Sequence, residues 1–79
     1  MEDEFLGVVK LFAFNFAPEG WKNCDGSILP IQQYEALFSL LGTQFGGDGK
    51  STFALPKLAG PIPNLHYCIC CEGIYPARP

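Results

Sequence analysis

The chain has 79 residues, 48% of them hydrophobic and 16% charged, with a formal net charge of −3. That length holds a single domain, 1–79, and excludes a doubly wound nucleotide-binding sheet, which needs several strand–helix–strand units. Its five Lys and Arg residues, at positions 10, 22, 50, 57 and 78, make no basic stripe, so nucleic acid is excluded as a partner.

One Trp, three Tyr and seven Phe are a heavy apolar load for so small a chain. Thin cores are commonly supplemented by disulfides, metal or oligomerisation, so contact with another copy is expected. The opening Met-Glu-Asp-Glu lacks the positive region of an N-terminal signal peptide, and Phe5 to Phe16 is too short to cross a bilayer. Neither a signal peptide nor membrane insertion is therefore expected.

Leu6 to Phe16 (LGVVKLFAFNF) is β-branched and aromatic and predicts a strand, placed centrally in a sheet. Ala17-Pro18-Glu19-Gly20 is a turn, and Trp21 to Cys24 a short second strand. Asp25-Gly26 then reads as a tight hairpin leading into Ser27-Ile28-Leu29. From Ile31 the period changes: Ile31, Tyr34, Leu37, Phe38 and Leu41 recur at three and four, predicting one helix over about 33–41 with Pro30 ahead of it and Gly42 as its left-handed cap.

Gly46 to Thr52 (GGDGKST) looks at first like a phosphate loop. That pattern requires a glycine at position 44, where Gln44 stands, and it must follow a strand and open a helix. Here it follows a helix and precedes Thr52-Phe53-Ala54-Leu55, and Pro56, Pro61 and Pro63 forbid a helix after it. It is read as a glycine-rich loop into an extended segment. Leu65 to Cys71 (LHYCICC) predicts a last strand pairing with the first, with His66, Cys68 and Cys70 on one face and Tyr67, Ile69 and Cys71 on the other.

Cys24, Cys68, Cys70, Cys71 and His66 lack the paired, turn-borne spacing of a zinc site, and Cys68 to Cys71 lies on a strand rather than at a helix N-terminus. No metal and no cofactor is expected. Two readings of the cysteines stand side by side: buried free thiols, or a Cys24–Cys68 disulfide with the remaining thiols linking subunits. With one histidine and isolated carboxylates, Asp25 and Asp48 each standing before a glycine, there is no catalytic set, and no enzymatic activity is expected.

GWKNCDG (Gly20 to Gly26, with Trp21, Cys24, Asp25), ALFSLLGT (Ala36 to Thr43, with Gly42), GGDGKSTFALP (with Gly46, Gly47, Asp48, Gly49, Phe53, Pro56) and YCICCEGIYP (Tyr67 to Pro76) together resemble the phage tail collar domain. That domain occurs at tail-fibre tips and in the bacterial microcystin-dependent proteins. The resemblance covers nearly the whole chain. It implies an α+β fold, a small antiparallel sheet with one helix packed on it, and a structural, self-assembling role in a phage tail, an injection device or an extracellular fibre. The implied partners are copies of itself, as a trimer or filament, and other tail or fibre components, on a virion or at a cell surface. A receptor- or glycan-binding adhesin using Trp21, Tyr67 or Tyr75 is the alternative.

Relatives carry an acidic residue at position 57, an arginine at 61 and then a long glycine-rich insertion, whereas here Lys57 and Pro61 stand there and Pro63 runs almost directly into Asn64. The lost insertion corresponds to the variable, partner-facing part of the relatives. Cys70 and Cys71 replace non-cysteine residues, which implies an added cross-link between subunits.

Overall fold

The computed structural model describes residues 4–76. Residues 1–3 and 77–79, which hold part of the acidic opening and the two ends of the expected domain, lie outside them. The fold is α+β, built from two small antiparallel sheets and one helix. Strand β1 (Val9–Phe12), β2 (Trp21–Asn23) and β5 (His66–Cys70) form one sheet in the order β1-β5-β2, while β3 (Ile28–Pro30) and β4 (Thr52–Ala54) form the other.

The last strand, not the first, is central. Val9 faces Ile69 and Phe12 faces His66 on one side of β5, and Trp21 faces Cys70 and Asn23 faces Cys68 on the other. Its position between two strands suits its composition, since Cys68, Ile69 and Cys70, on alternate faces, are each at most 1% exposed. The first strand is shorter than its sequence suggests because Gly7 turns the chain at φ 87 before it and β5 offers no partner beyond His66. From Ala13 to Phe16 the chain bends away.

Asp25-Gly26 does not close a hairpin. Its turn sends the chain from one sheet to the other: Gly26 takes φ 82, Asp25 bridges Lys57, and Leu29 pairs with Phe53 instead of returning along β2. The expected helix is also divided. A single 3-10 turn (Ile31–Gln33) precedes α1 (Glu35–Leu41), whose N-terminal boundary is Tyr34 at φ −135. The helix ends at Gly42, which is not the expected left-handed cap: at φ 60 and ψ −146 it is extended on the positive-φ side, and its N–H reaches the Phe38 carbonyl at 2.7 Å.

The core is shared by all these pieces. Leu6, Cys24, Leu29, Leu37, Phe53, Leu55, Ile69 and Cys71 form one buried cluster, with Tyr34, Phe38 and Leu41 of the helical stripe packed against it. The Phe38 and Phe53 rings lie 5.5 Å apart, tilted, the geometry aromatic pairs prefer. The other face of the three-stranded sheet is roofed separately. Phe12 and Trp21 come from strands on opposite sides of β5, yet their rings meet edge-on at 5.2 Å, and Phe14 and Phe16 continue the row.

Between β4 and β5 the chain makes a short loop closed at its own base. A Cβ on Gly60 would fall 1.8 Å from the Leu65 carbonyl oxygen, so only glycine permits the approach. The Leu65 N–H bonds the Ile62 carbonyl at 3.1 Å within it. No helix of the described residues is long and apolar enough to cross a membrane.

Candidate functional site

The glycine-rich loop ties α1 to β4. Gly46, Gly47 and Gly49 all have positive φ, and a Cβ on Gly47 would stand 2.4 Å from the Phe53 Cα and 2.8 Å from the Thr52 carbonyl oxygen. The loop therefore lies flat against β4, and only glycine fits there. Asp48 then fastens it: its Oδ1 accepts the backbone N–H groups of Lys50, Ser51 and Thr52, each at 2.9 Å, and its Oδ2 accepts the Ser51 hydroxyl at 3.2 Å. Those amides, Ser51 foremost, hold the Asp48 carboxyl well below the usual carboxylate range.

This geometry settles what the loop's amides do. Converging N–H groups form an anion-binding nest, but the anion is the loop's own carboxylate. An incoming phosphate would have to displace Asp48 and meet its charge. Phe53, fully buried directly behind the loop, and Pro56, also buried, anchor the segment that follows.

All four cysteines are buried free thiols. The expected Cys24–Cys68 pair is separated by strand alternation. Asn23 is the residue paired with Cys68 and accepts its S–H at 3.4 Å, so Cys24, one residue on, turns to the opposite face with Ile69 and Cys71. Burial, reinforced by Cys68 and Asp25, pushes the Cys24 thiol up to about 11, and burial likewise raises Cys71 to about 11 against the pull of Lys22. Cys70 and Cys71 are 1% and 9% exposed, so in this fold neither sulfur is presented for a cross-link to a second copy. Among the described residues no three His, Cys, Asp or Glu side chains converge to hold a metal ion.

A cleft of about 440 Å³ opens where β2 ends and β5 begins, lined by Asn15, Asn23, Asp25, Lys57, His66 and Tyr67, with Cys24, Leu58 and Ala59 completing its wall. It is held in shape from the backbone. The Cys24 N–H bonds the Tyr67 carbonyl at 3.0 Å, the Leu58 N–H bonds the Cys24 carbonyl at 2.9 Å, and Asp25 bridges Lys57. Asp25 is further fixed by Ser27, whose N–H reaches Oδ1 at 3.0 Å and whose hydroxyl bonds the same oxygen; the hydroxyl foremost lowers the Asp25 carboxyl from its ordinary value. The His66 Nε2 atom is buried with no hydrogen-bond partner.

The motif residues therefore separate into different tasks. Gly42, Gly46, Gly47, Asp48, Gly49, Phe53 and Pro56 build the helix end, the loop and β4; Asp25 and Gly26 form the crossing between sheets, and Trp21 roofs β5. Sequence reasoning weighed His66 only as a metal ligand and strand residue, noted Lys57 only as a departure from the relatives and passed over Asn15; the three come together beside Asp25 only in the fold. The available signal was the Asx turn at Asp25, which says where a carboxylate is fixed but not what faces it.

The family model described as Phage Tail Collar Domain matches residues 7–63. No curated protein and no solved structure matches the chain.

Proposed function

Because this chain belongs to the phage tail collar domain family, we propose that it is a self-assembling module of a tail fibre, joining copies of itself into a closed trimer or an open filament. Membership implies a structural, virion-associated role. The finer reading rests on one observation, apolar surface beside open strand edges. β1 has an unpaired outer edge, and its Val9 and Leu11 are 37% and 42% exposed; Phe14 and Phe16 follow in the exposed aromatic row, and Phe5 and Ile74 are half exposed beside their own bridge.

Open edges template pairing with another chain unless they are covered. Each large apolar side chain taken from water contributes about 1.5–3 kcal/mol before association costs are met. A contact that returns the chain to its start after three copies closes, and one that does not makes a fibre.

Light scattering over a range of concentrations, with negative-stain imaging, tests this. We expect a mass that is a multiple of 8.7 kDa, and Leu11→Lys reduces it. A monomer at every concentration overturns assembly. Reductant leaves the mass unchanged if the thiols remain as buried as they are here.

A further inference from the structure

We infer that two copies of this chain pair edge to edge through β1, antiparallel across a two-fold axis at Lys10. The inference rests on the self-assembly reading and follows from which sheet edges still have hydrogen-bonding groups to offer. On β4 the outward-facing groups are taken: the Thr52 N–H by the Asp48 carboxylate at 2.9 Å, the Thr52 carbonyl by the Gly49 N–H at 3.0 Å, and the Ala54 N–H by the Gly46 carbonyl at 3.1 Å. On β3 the bonds from Leu55 to Ser27 and from Ile31 to Ser51 turn Ile28 and Pro30 outward, and Pro30 has no N–H. On β2 the Trp21 N–H is held by the Pro18 carbonyl at 2.9 Å, and Ser27 and Leu29 of the other sheet lie across a groove beside it. Among the described residues only β1 is left whole. The Cys70 N–H bonds the Val8 carbonyl, so Val8, Lys10 and Phe12 turn their backbone groups toward β5, and Val9 and Leu11 turn theirs away.

A chain with one open edge meets its own copy by strand pairing only through that same edge, which makes the contact isologous. The possible registers differ in how many bonds they form. Setting Val9 against Leu11 of the second copy closes four backbone hydrogen bonds. Centring the axis on Val9 or on Leu11 closes two, because Gly7 turns the chain at φ 87 and Ala13 bends out of the strand. The four-bond register sets the two Lys10 side chains opposite each other, where like charges repel. Each Lys10 already holds its own Glu4 as an ion pair, so two neutral pairs meet at the axis. The same register lays Val9 and Leu11, 37% and 42% exposed, against Leu11 and Val9 of the second copy. A two-fold contact closes at two copies, so no trimer forms by this route. A fibre would take the pair as its repeating unit, with a second contact between pairs.

Lys10→Cys in the full chain tests the register. Opposite residues with no backbone bonds between them lie about 4.5 Å apart at Cα, within disulfide reach, and the four native thiols are buried. Mild oxidation should give a linked pair of twice 8.7 kDa, and markedly faster than for Gln44→Cys, an exposed position away from β1. In the parent, hydrogen exchange should find the Val9 and Leu11 amides protected in the assembly and free on dilution. Leu11→Pro removes an outward N–H without touching the bonds to β5, and by symmetry deletes two of the four bonds across the axis. It raises the dissociation constant about tenfold or more, while Leu11→Thr, which keeps the N–H, has a smaller effect. Assembly that persists with both amides exchanging freely, or Lys10→Cys linking no faster than Gln44→Cys, overturns this contact and leaves self-assembly standing. Equal weakening by Leu11→Pro and Leu11→Thr does the same. A monomer at every concentration overturns both, and protected Val9 and Leu11 amides in that monomer would show another strand on the edge. Should Leu11→Pro fail to fold, exchange and cross-linking decide.

Discussion

The loop Gly46–Thr52 and the cleft beside His66 use the same materials, a turn aspartate, backbone amides and a lysine, but they leave them in opposite states. In the loop, Asp48 takes the amides of Lys50, Ser51 and Thr52 for itself, and Lys50 stays at the exposed surface. In the cleft, Asp25 and Asn23 each spend one polar atom and keep others, and His66 Nε2 has none to meet. A stretch that looks like an anion site by composition is closed, and a place that looks like an ordinary turn and strand is open. Which hydrogen-bonding groups are already satisfied decides the matter, and residue types do not reveal it.

The largest test of the closed half is Gly47→Ala. The new Cβ would meet the Phe53 Cα at 2.4 Å on a backbone at φ 93. A loss of about 3 kcal/mol or more, or failure to fold, is expected in urea denaturation. Gly42→Ala is its control: at φ 60, ψ −146 its backbone is also one that side chains rarely adopt, but a Cβ there meets nothing within 4 Å, so a loss of about 1–3 kcal/mol is expected from the backbone alone. Equal losses for the two would show that the loop does not lie flat on β4.

A smaller effect separates the loop's carboxylate from its glycines. Because Asp48 titrates below its ordinary value of 3.8, its contribution is present above that pH and fades as the pH falls toward the lower folded value. Asp48→Ala lowers the melting temperature at pH 7 and loses that part of the parent's decline below about pH 4. An unchanged acid profile in the variant would remove Asp48 as the fastener.

The smallest effect is chemical. Cys24, in the cleft wall, has a thiol raised to about 11, so iodoacetamide at pH 8 labels it slowly in the native protein and fast in urea. Rapid native labelling would mean that this wall of the cleft opens.

The elements that were legible in the sequence are those whose signal is local. The apolar stripe from Tyr34 to Leu41, Gly42 at the helix end and the run from His66 to Cys70 each state their structure in their own spacing. Pairings were less legible. The Val-, Leu- and Phe-rich first strand has the composition of a central strand, yet the centre goes to the strand that Cys68, Ile69 and Cys70 bury on both faces. Asp25-Gly26 carries a hairpin signal, but a turn fixes a reversal and not the partner that follows, and Phe53 outcompetes β2 for Leu29. The cleft was invisible for the same reason, since Asn15, Asp25, Lys57 and His66 are separated along the chain and meet only through those pairings.

The loop between Gly60 and Leu65 is closed at its base. Where the two strands of chain enter and leave, the Gly60 backbone already touches the Leu65 carbonyl, so whatever lies between them is spliced into a junction of fixed span. Lengthening such a segment costs little, because closure entropy grows only with the logarithm of length, and β5 need not shift to admit it. The four residues between Gly60 and Leu65 therefore ride on the junction without carrying any of the core.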